Sequence, residues 1–167
     1  GPDLCERCQE QLGPPLSPLF RLQNVVTQRT DRINSDEEER LRIGYEIQSG
    51  IRFAEDENGF RSHSAKLMGE GEELATLTYG DAATIWRINR GWRRRANQEQ
   101  LGFVLDTERG YWARNNQDIE DDRNDPMSPQ MMRVIPYVED HRNCLLLEFS
   151  ENMDISSLAS IRAAIKT

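Results

Sequence analysis

From Gly44 onward the apolar residues of this chain recur at every second position, a period that suits strands and not helices. "GYEIQSGIRFAED" (44–56) carries Tyr45, Ile47, Ile51 and Phe53 in that alternation. "SHSAKLMG" (62–69) and "ELATLTYG" (73–80) flank the glycine-rich "GEGEE", which predicts a hairpin. "ATIWRINRGW" (83–92) reads as a further strand. "GFVLDTERGYWAR" (102–114) reads as a strand, a turn at Thr107 to Gly110 and a second strand. "RVIPYVEDHRNCLLLEFS" (133–150) reads as two strands about a polar turn at Asp140 to Asn143. About eight strands at short spacing define a mainly β (α+β) chain, an antiparallel sheet or barrel-like arrangement.

Two helices frame these strands. "NSDEEERLR" (34–42) has Ser35 as an N-cap, acids in the first turn and arginines after them. "DISSLASIRAAIKT" (154–167) is capped by Asp154 or Ser156 and sets Leu158, Ile161 and Ile165 on one face, an amphipathic helix. The sequence stops there without a C-cap, so we expect the domain to be truncated, at this end and at the N-terminus alike. The predicted division is a half zinc-knuckle with a proline-rich connector over 1–22, then a β-rich domain over 23–167.

Composition narrows the class. Apolar residues make up 37% and charged residues 30% of 167, so the core is expected to be modest and the surface heavily charged. No apolar run approaches the ~20 residues of a membrane span. "GPDLCERCQEQLG" lacks the basic and apolar regions of a signal peptide, and the three cysteines do not suggest a disulfide framework. A cytoplasmic location is the expectation. The acid-rich "NNQDIEDDRNDPMSPQ" (115–130) fits a solvated loop and lacks the glycine and glutamate of an EF-hand.

"TIWRINRGWRRR" (84–95) stands apart. It gathers Arg87, Arg90, Arg93, Arg94 and Arg95 with Trp86 and Trp92, in a chain whose net charge is −8. Three readings remain open. Arginine forks and stacking tryptophans suit a nucleic-acid backbone and its bases. The same residue types are the enriched anchors of protein interfaces. In the structural reading, Trp86, Ile88, Arg90 and Trp92 share one strand face and the arginines pair with the chain's own acids.

"CERC" places Cys5 and Cys8 as a knuckle that presents two thiolates to one tetrahedral metal. It is a zinc half-site, a pair of incidental thiols, or a redox pair. Cys144, His63 and His141 are the remaining candidate ligands, and Cys144 lies in an apolar strand; zinc ligands beyond Cys5 and Cys8 are expected outside this chain. A Cys144/His141 nucleophile is the weakest possibility. There is no P-loop, no G-x-S-x-G and no H-E-x-x-H, so neither an enzyme nor a small-molecule substrate is suggested.

Four stretches together, "TDRINSDEEERLRIGYEI", "YGDAATIWRINRGWRRR", "GFVLDTERGYWAR" and "RVIPYVEDHRNCLLLEFS", resemble the C-terminal region of helicase-associated proteins with a metal-binding cysteine cluster. That DrmB-like group belongs to the DISARM anti-phage defence system and to related bacterial DEAD/DEAH-box helicases. The resemblance spans about residues 25 to 165. It implies an accessory domain beside a superfamily-2 helicase motor on DNA, with the ATPase elsewhere. It also implies a four-cysteine zinc cluster, onto which Cys5 and Cys8 map as one pair. Only one such pair is present, which departs from the pattern.

Overall fold

The computed structural model describes residues 13–26, 39, 42–95, 97–113, 130–150 and 153–165. The order of elements is β1 (Leu19–Arg21), β2 (Tyr45–Phe53), β3 (Glu55–Asp56), β4 (Gly59–Phe60), β5 (Ser62–Gly69), β6 (Glu72–Trp92), β7 (Phe103–Asp106), β8 (Met131–Phe149) and α1 (Ile155–Ile165). The protein is mainly β, as the alternation predicts. One six-stranded sheet has the order β1-β8-β6-β2, with β5 also on β6 and β7 also on β8; β3 and β4 form a separate small ribbon. Of the early helix, Glu39, Arg42 and Ile43 are described and are helical; the rest of 34–42 lies outside the described residues.

Two expected breaks are not breaks. The segments read as separate strands at 73–80 and 83–92 are one strand, β6, of 21 residues. Gly80 does not interrupt it, because the Phe53 ring lies over the glycine and takes the space of a side chain. The polar turn expected at Asp140 to Asn143 is the middle of β8, a strand of 19 residues. That tetrapeptide holds neither Gly nor Pro to force a reversal. Its polar side chains instead find partners: Asp140 pairs with Arg142, two positions on and therefore on the same face, and Thr84 Oγ1 lies 3.1 Å from His141 Nδ1. The second strand expected after Gly110 reduces to a single bridge, Leu105 to Trp112. The sheet is also mixed and not purely antiparallel, since β1 runs parallel to β8 with Leu19 opposite Ile135.

The chain divides into two compact units: residues 1–49 with 86–139, and residues 50–85 with 140–167. In the first, β7 pairs antiparallel with β8, and Val104, Leu105, Val134 and Ile135 are the buried core. The predicted turn at Thr107 to Gly110 forms there. The backbone N–H groups of Glu108 and Arg109 donate to the buried Asp106 carboxylate, and Gly110 N–H donates to Asp106 O at 2.8 Å. In the second unit, β5 and β6 form the predicted hairpin. Its turn residues Glu70 and Gly71 both have positive φ, 50° and 88°, the type I′ geometry that matches strand twist.

In that second unit Asp154 caps α1, accepting from the Ser157 N–H at 2.9 Å and from the hydroxyls of Ser156 and Ser157. Those hydrogen bonds, Ser156 foremost, hold its carboxyl well below the usual range. Leu158 and Ile161 are half-buried, whereas Ile165, expected on the same face, is exposed.

The tightest backbone approach lies in the first unit. A Cβ on Gly102 would sit 2.1 Å from Val134 O, and Gly102 has φ +77°. Its N–H donates to Arg90 O at 2.8 Å, so no other residue fits between β6 and β8 there. Gly102→Ala is therefore expected to cost about 4 kcal/mol or more, since backbone cannot yield as a side chain does. A urea titration that places its midpoint within error of the wild type would contradict this packing.

Candidate functional site

The arginine-tryptophan segment ends β6, and its chemistry is set by two adjacent residues of β2, Tyr45 and Glu46. Neighbours in a strand point to opposite faces. Trp92 stacks on Tyr45, with ring centroids 4.3 Å apart and planes at 26°. Arg90 Nη1 lies 2.8 Å from Glu46 Oε1. Arg90 and Trp92 therefore serve opposite faces, not the shared face that simple alternation predicts. The break falls at Gly91, whose φ of +116° interrupts the pleat. Trp86, earlier in β6, is half-buried, and its indole N–H donates to Glu139 at 2.9 Å.

Glu46 is the hub of the charged side. Its second oxygen, Oε2, accepts from Arg95 Nη1 at 2.8 Å. Arg95 also donates to the carbonyl oxygens of Trp92 and Gln98, and its side chain is only 9% exposed. Arg94 pairs with Glu39. The exposed Arg93 donates through Nε to Tyr45 O at 2.9 Å, and its N–H donates to Gly44 O at 3.1 Å. Arg87 is exposed, and no described residue pairs with it. Three of the five arginines thus meet carboxylates of this chain. The hydrogen bond from Arg95, followed by the charges of Arg90, Arg95 and Arg93, holds the Glu46 carboxyl below its usual value.

On the aromatic side the cluster is larger than the sequence segment suggests. Phe103 of β7 packs edge-on against Tyr45 at 5.8 Å and Trp92 at 6.2 Å, and Trp112 packs edge-on against Phe103 at 6.1 Å. Burial of the Tyr45 phenol raises its pKa. Trp92 and Phe103 are half-buried, whereas Tyr45 and Trp112 lie at the open side of the row, and Tyr111 beside them is 67% exposed. The sequence signal for Tyr111 and Trp112 is their place directly after the Gly110 turn, where two bulky rings interrupt a polar stretch.

The metal candidates do not converge among the described residues, where no group of three potential ligands occurs. Cys5 and Cys8, and the acids of the 115–130 loop, lie outside the described residues. Cys144 is a free, half-buried thiol of β8. His141 precedes it by three positions in the same strand, which puts the two on opposite faces and separates them as a pair. His63 is an exposed residue of β5.

No family model, no curated protein and no solved structure matches this chain.

The Glu46 hub predicts a pH dependence. A carboxyl with a depressed folded-state pKa contributes stability that is fully present above its unfolded pKa of about 4.3 and is lost as pH falls through the folded value. Glu46→Gln should lower stability by about 1–3 kcal/mol at pH 7, because Arg95 keeps its burial and loses its charge partner. The difference from wild type should shrink as pH drops below about 4. Denaturation curves at pH 7 and pH 3.5 check both statements; an unchanged difference at the two values would contradict them.

Proposed function

We propose that the chain is a non-catalytic docking module that holds a superfamily-2 helicase motor, in the same polypeptide or in another, as part of a DNA-handling or phage-defence assembly. The observation that carries this reading is the division of labour at the end of β6. The arginine charges are largely answered inside the chain by Glu46 and Glu39, while the row of Tyr45, Trp92, Phe103 and Trp112 keeps an open side. Large rings held rigid by one another and accompanied by arginine are the anchor type of protein interfaces. The chemistry that fits is an apolar segment flanked by acids, which the exposed Arg93 at Tyr45 would meet. The helicase setting comes from the resemblance of the four sequence stretches.

A second reading, contact with a DNA backbone, is favoured by one observation: Arg87 is exposed without a partner among the described residues, and Arg94 is 69% exposed despite its link to Glu39. In a chain of net charge −8 these two, seven positions apart along the chain, do not make a basic face.

Two assays separate the readings. In the first, co-elution with the neighbouring helicase motor is compared for wild type and Tyr111→Ala/Trp112→Ala, with an expected loss of about 30-fold in affinity, the effect of two hot-spot rings. In the second, anisotropy with labelled single- and double-stranded DNA should show no binding at physiological salt. Micromolar, salt-steep binding that Arg87→Glu/Arg94→Glu abolishes would overturn the docking reading in favour of a phosphate clamp.

A further inference from the structure

Strand β5 is an open edge of the second unit. Among the described residues it pairs with β6 and with no other strand. Every residue from His63 to Met68 is exposed, so both faces are open, and Leu67 and Met68 are 49% and 56% exposed. An edge strand presents a row of backbone N–H and C=O groups that another extended strand can satisfy. The usual protections are missing. "SHSAKLMG" holds no proline, and its single charge, Lys66, is drawn across to Glu73 of β6 at 2.5 Å. The register shift at Leu67/Met68 lies next to the turn and leaves Ser62 to Leu67 in regular pairing.

The distribution of charge and side chains selects what fits this edge. β5 begins after a base, Arg61, whose side chain pairs with Asp81 of β6 at 2.5 Å and stays 47% exposed, and ends before acids, Glu70 and Glu72. A strand that complements it must run antiparallel with the same polarity of charge, which is what a second β5 does. With Ala65 opposite Ala65, Ser64 faces Lys66, His63 faces Leu67, and no like charges meet. Arg61 of each copy then lies at the end of its mate that carries Glu70. Centring the pair on Lys66 would oppose two lysines, which is unfavourable. The Ala65 register also joins like faces: His63, Ala65 and Leu67 already stand beside Tyr79, Leu77 and Ala75 of β6, so their stripe continues across the seam.

We propose that two copies of this chain associate through the outer edges of β5, antiparallel and centred on Ala65, so that the sheet continues across a two-fold axis. Each copy supplies the same patch, and the contact closes on itself. The seam is short, so the dimer belongs to the weak, concentration-dependent class. This inference rests on the second unit and is independent of the aromatic row.

Sedimentation velocity on the full chain, from low micromolar to submillimolar concentration, tests it. Wild type should pass from monomer to dimer over that range. Ala65→Lys and Ala65→Glu, at an exposed position, should each weaken the dimer by about tenfold or more through two like charges at the axis, with unchanged far-UV circular dichroism. An equimolar mixture of the two should restore it, because Lys then faces Glu. Ser64→Glu, opposite Lys66 of the mate, should tighten it and provides a gain that misfolding cannot mimic. A wild type that stays monomeric throughout, a dimer indifferent to the Ala65 substitutions, or a mixture that fails to restore association would each overturn the proposal.

Discussion

Glu46 is where an acidic protein makes a run of arginines compatible with a folded strand end. Five positive charges within twelve residues would repel one another, and one of the side chains, Arg95, is drawn well out of water while Arg90 is only partly buried. A carboxylate with one oxygen for each guanidinium offsets the repulsion, meeting Arg90 and Arg95 through one Nη1 each, while Arg90 Nε stays buried with no hydrogen-bond partner among the described residues. With Arg95 held, its remaining donors close on the Trp92 and Gln98 carbonyl oxygens, and the chain leaving β6 is tied down. The net worth of such pairing is conditional on burial: the exposed Arg94–Glu39 pair adds little, whereas Arg95 has few alternatives.

The same two-residue step of β2 separates charge from aromatic surface. Tyr45 and Glu46 point to opposite faces, and the left-handed backbone at Gly91 lets β6 answer each with a different residue, Trp92 for one and Arg90 for the other. Gly102 completes the arrangement by letting its backbone approach that of β8 and by donating to Arg90 O. Phe103, the next residue, is thereby delivered to the Tyr45–Trp92 stack. A charged hub and an aromatic row, which look like one mixed motif along the sequence, are distinct surfaces in space.

That separation shows what was legible in the sequence. The period-two pattern correctly specified a mainly β protein, and local turn and cap residues specified the Glu70–Gly71 turn, the Thr107–Gly110 turn and the capped final helix, because each depends on residues within a few positions. The strand limits were not legible. A polar tetrapeptide such as Asp140 to Asn143 looks like a turn until its cross-strand partners are known, and Gly80 looks like a stop until Phe53 is placed over it. Alternation likewise put Arg90 and Trp92 on one face, since a single positive φ at Gly91 leaves no mark in the pattern of apolar residues. Glu46 as a partner was hidden for the same reason: it is one of 29 acids, and only the pairing of β2 with β6 singles it out.

Long strands carry a physical consequence of their own. β6 and β8 exceed the usual strand length of about five or six residues by more than threefold, and each contributes to both compact units. A strand that long exposes more edge than its shorter neighbours can pair. β1 and β7 pair with β8 only between Met131 and Tyr137, and β5 pairs with β6 only between Glu72 and Gly80. The sheet is therefore built from short strands laid along long ones, and among the described residues its free edges fall both on the short strands and on the stretches of β8 that no short strand covers. Their protection then depends on side chains alone. β1 ends on Arg21, which reaches Glu139 at 3.3 Å, and β5 has its only charge turned inward to Glu73. An acidic chain resists association through net repulsion, and the two bases at β5, Arg61 just before it and Lys66 within it, are both held by acids of β6, Asp81 and Glu73.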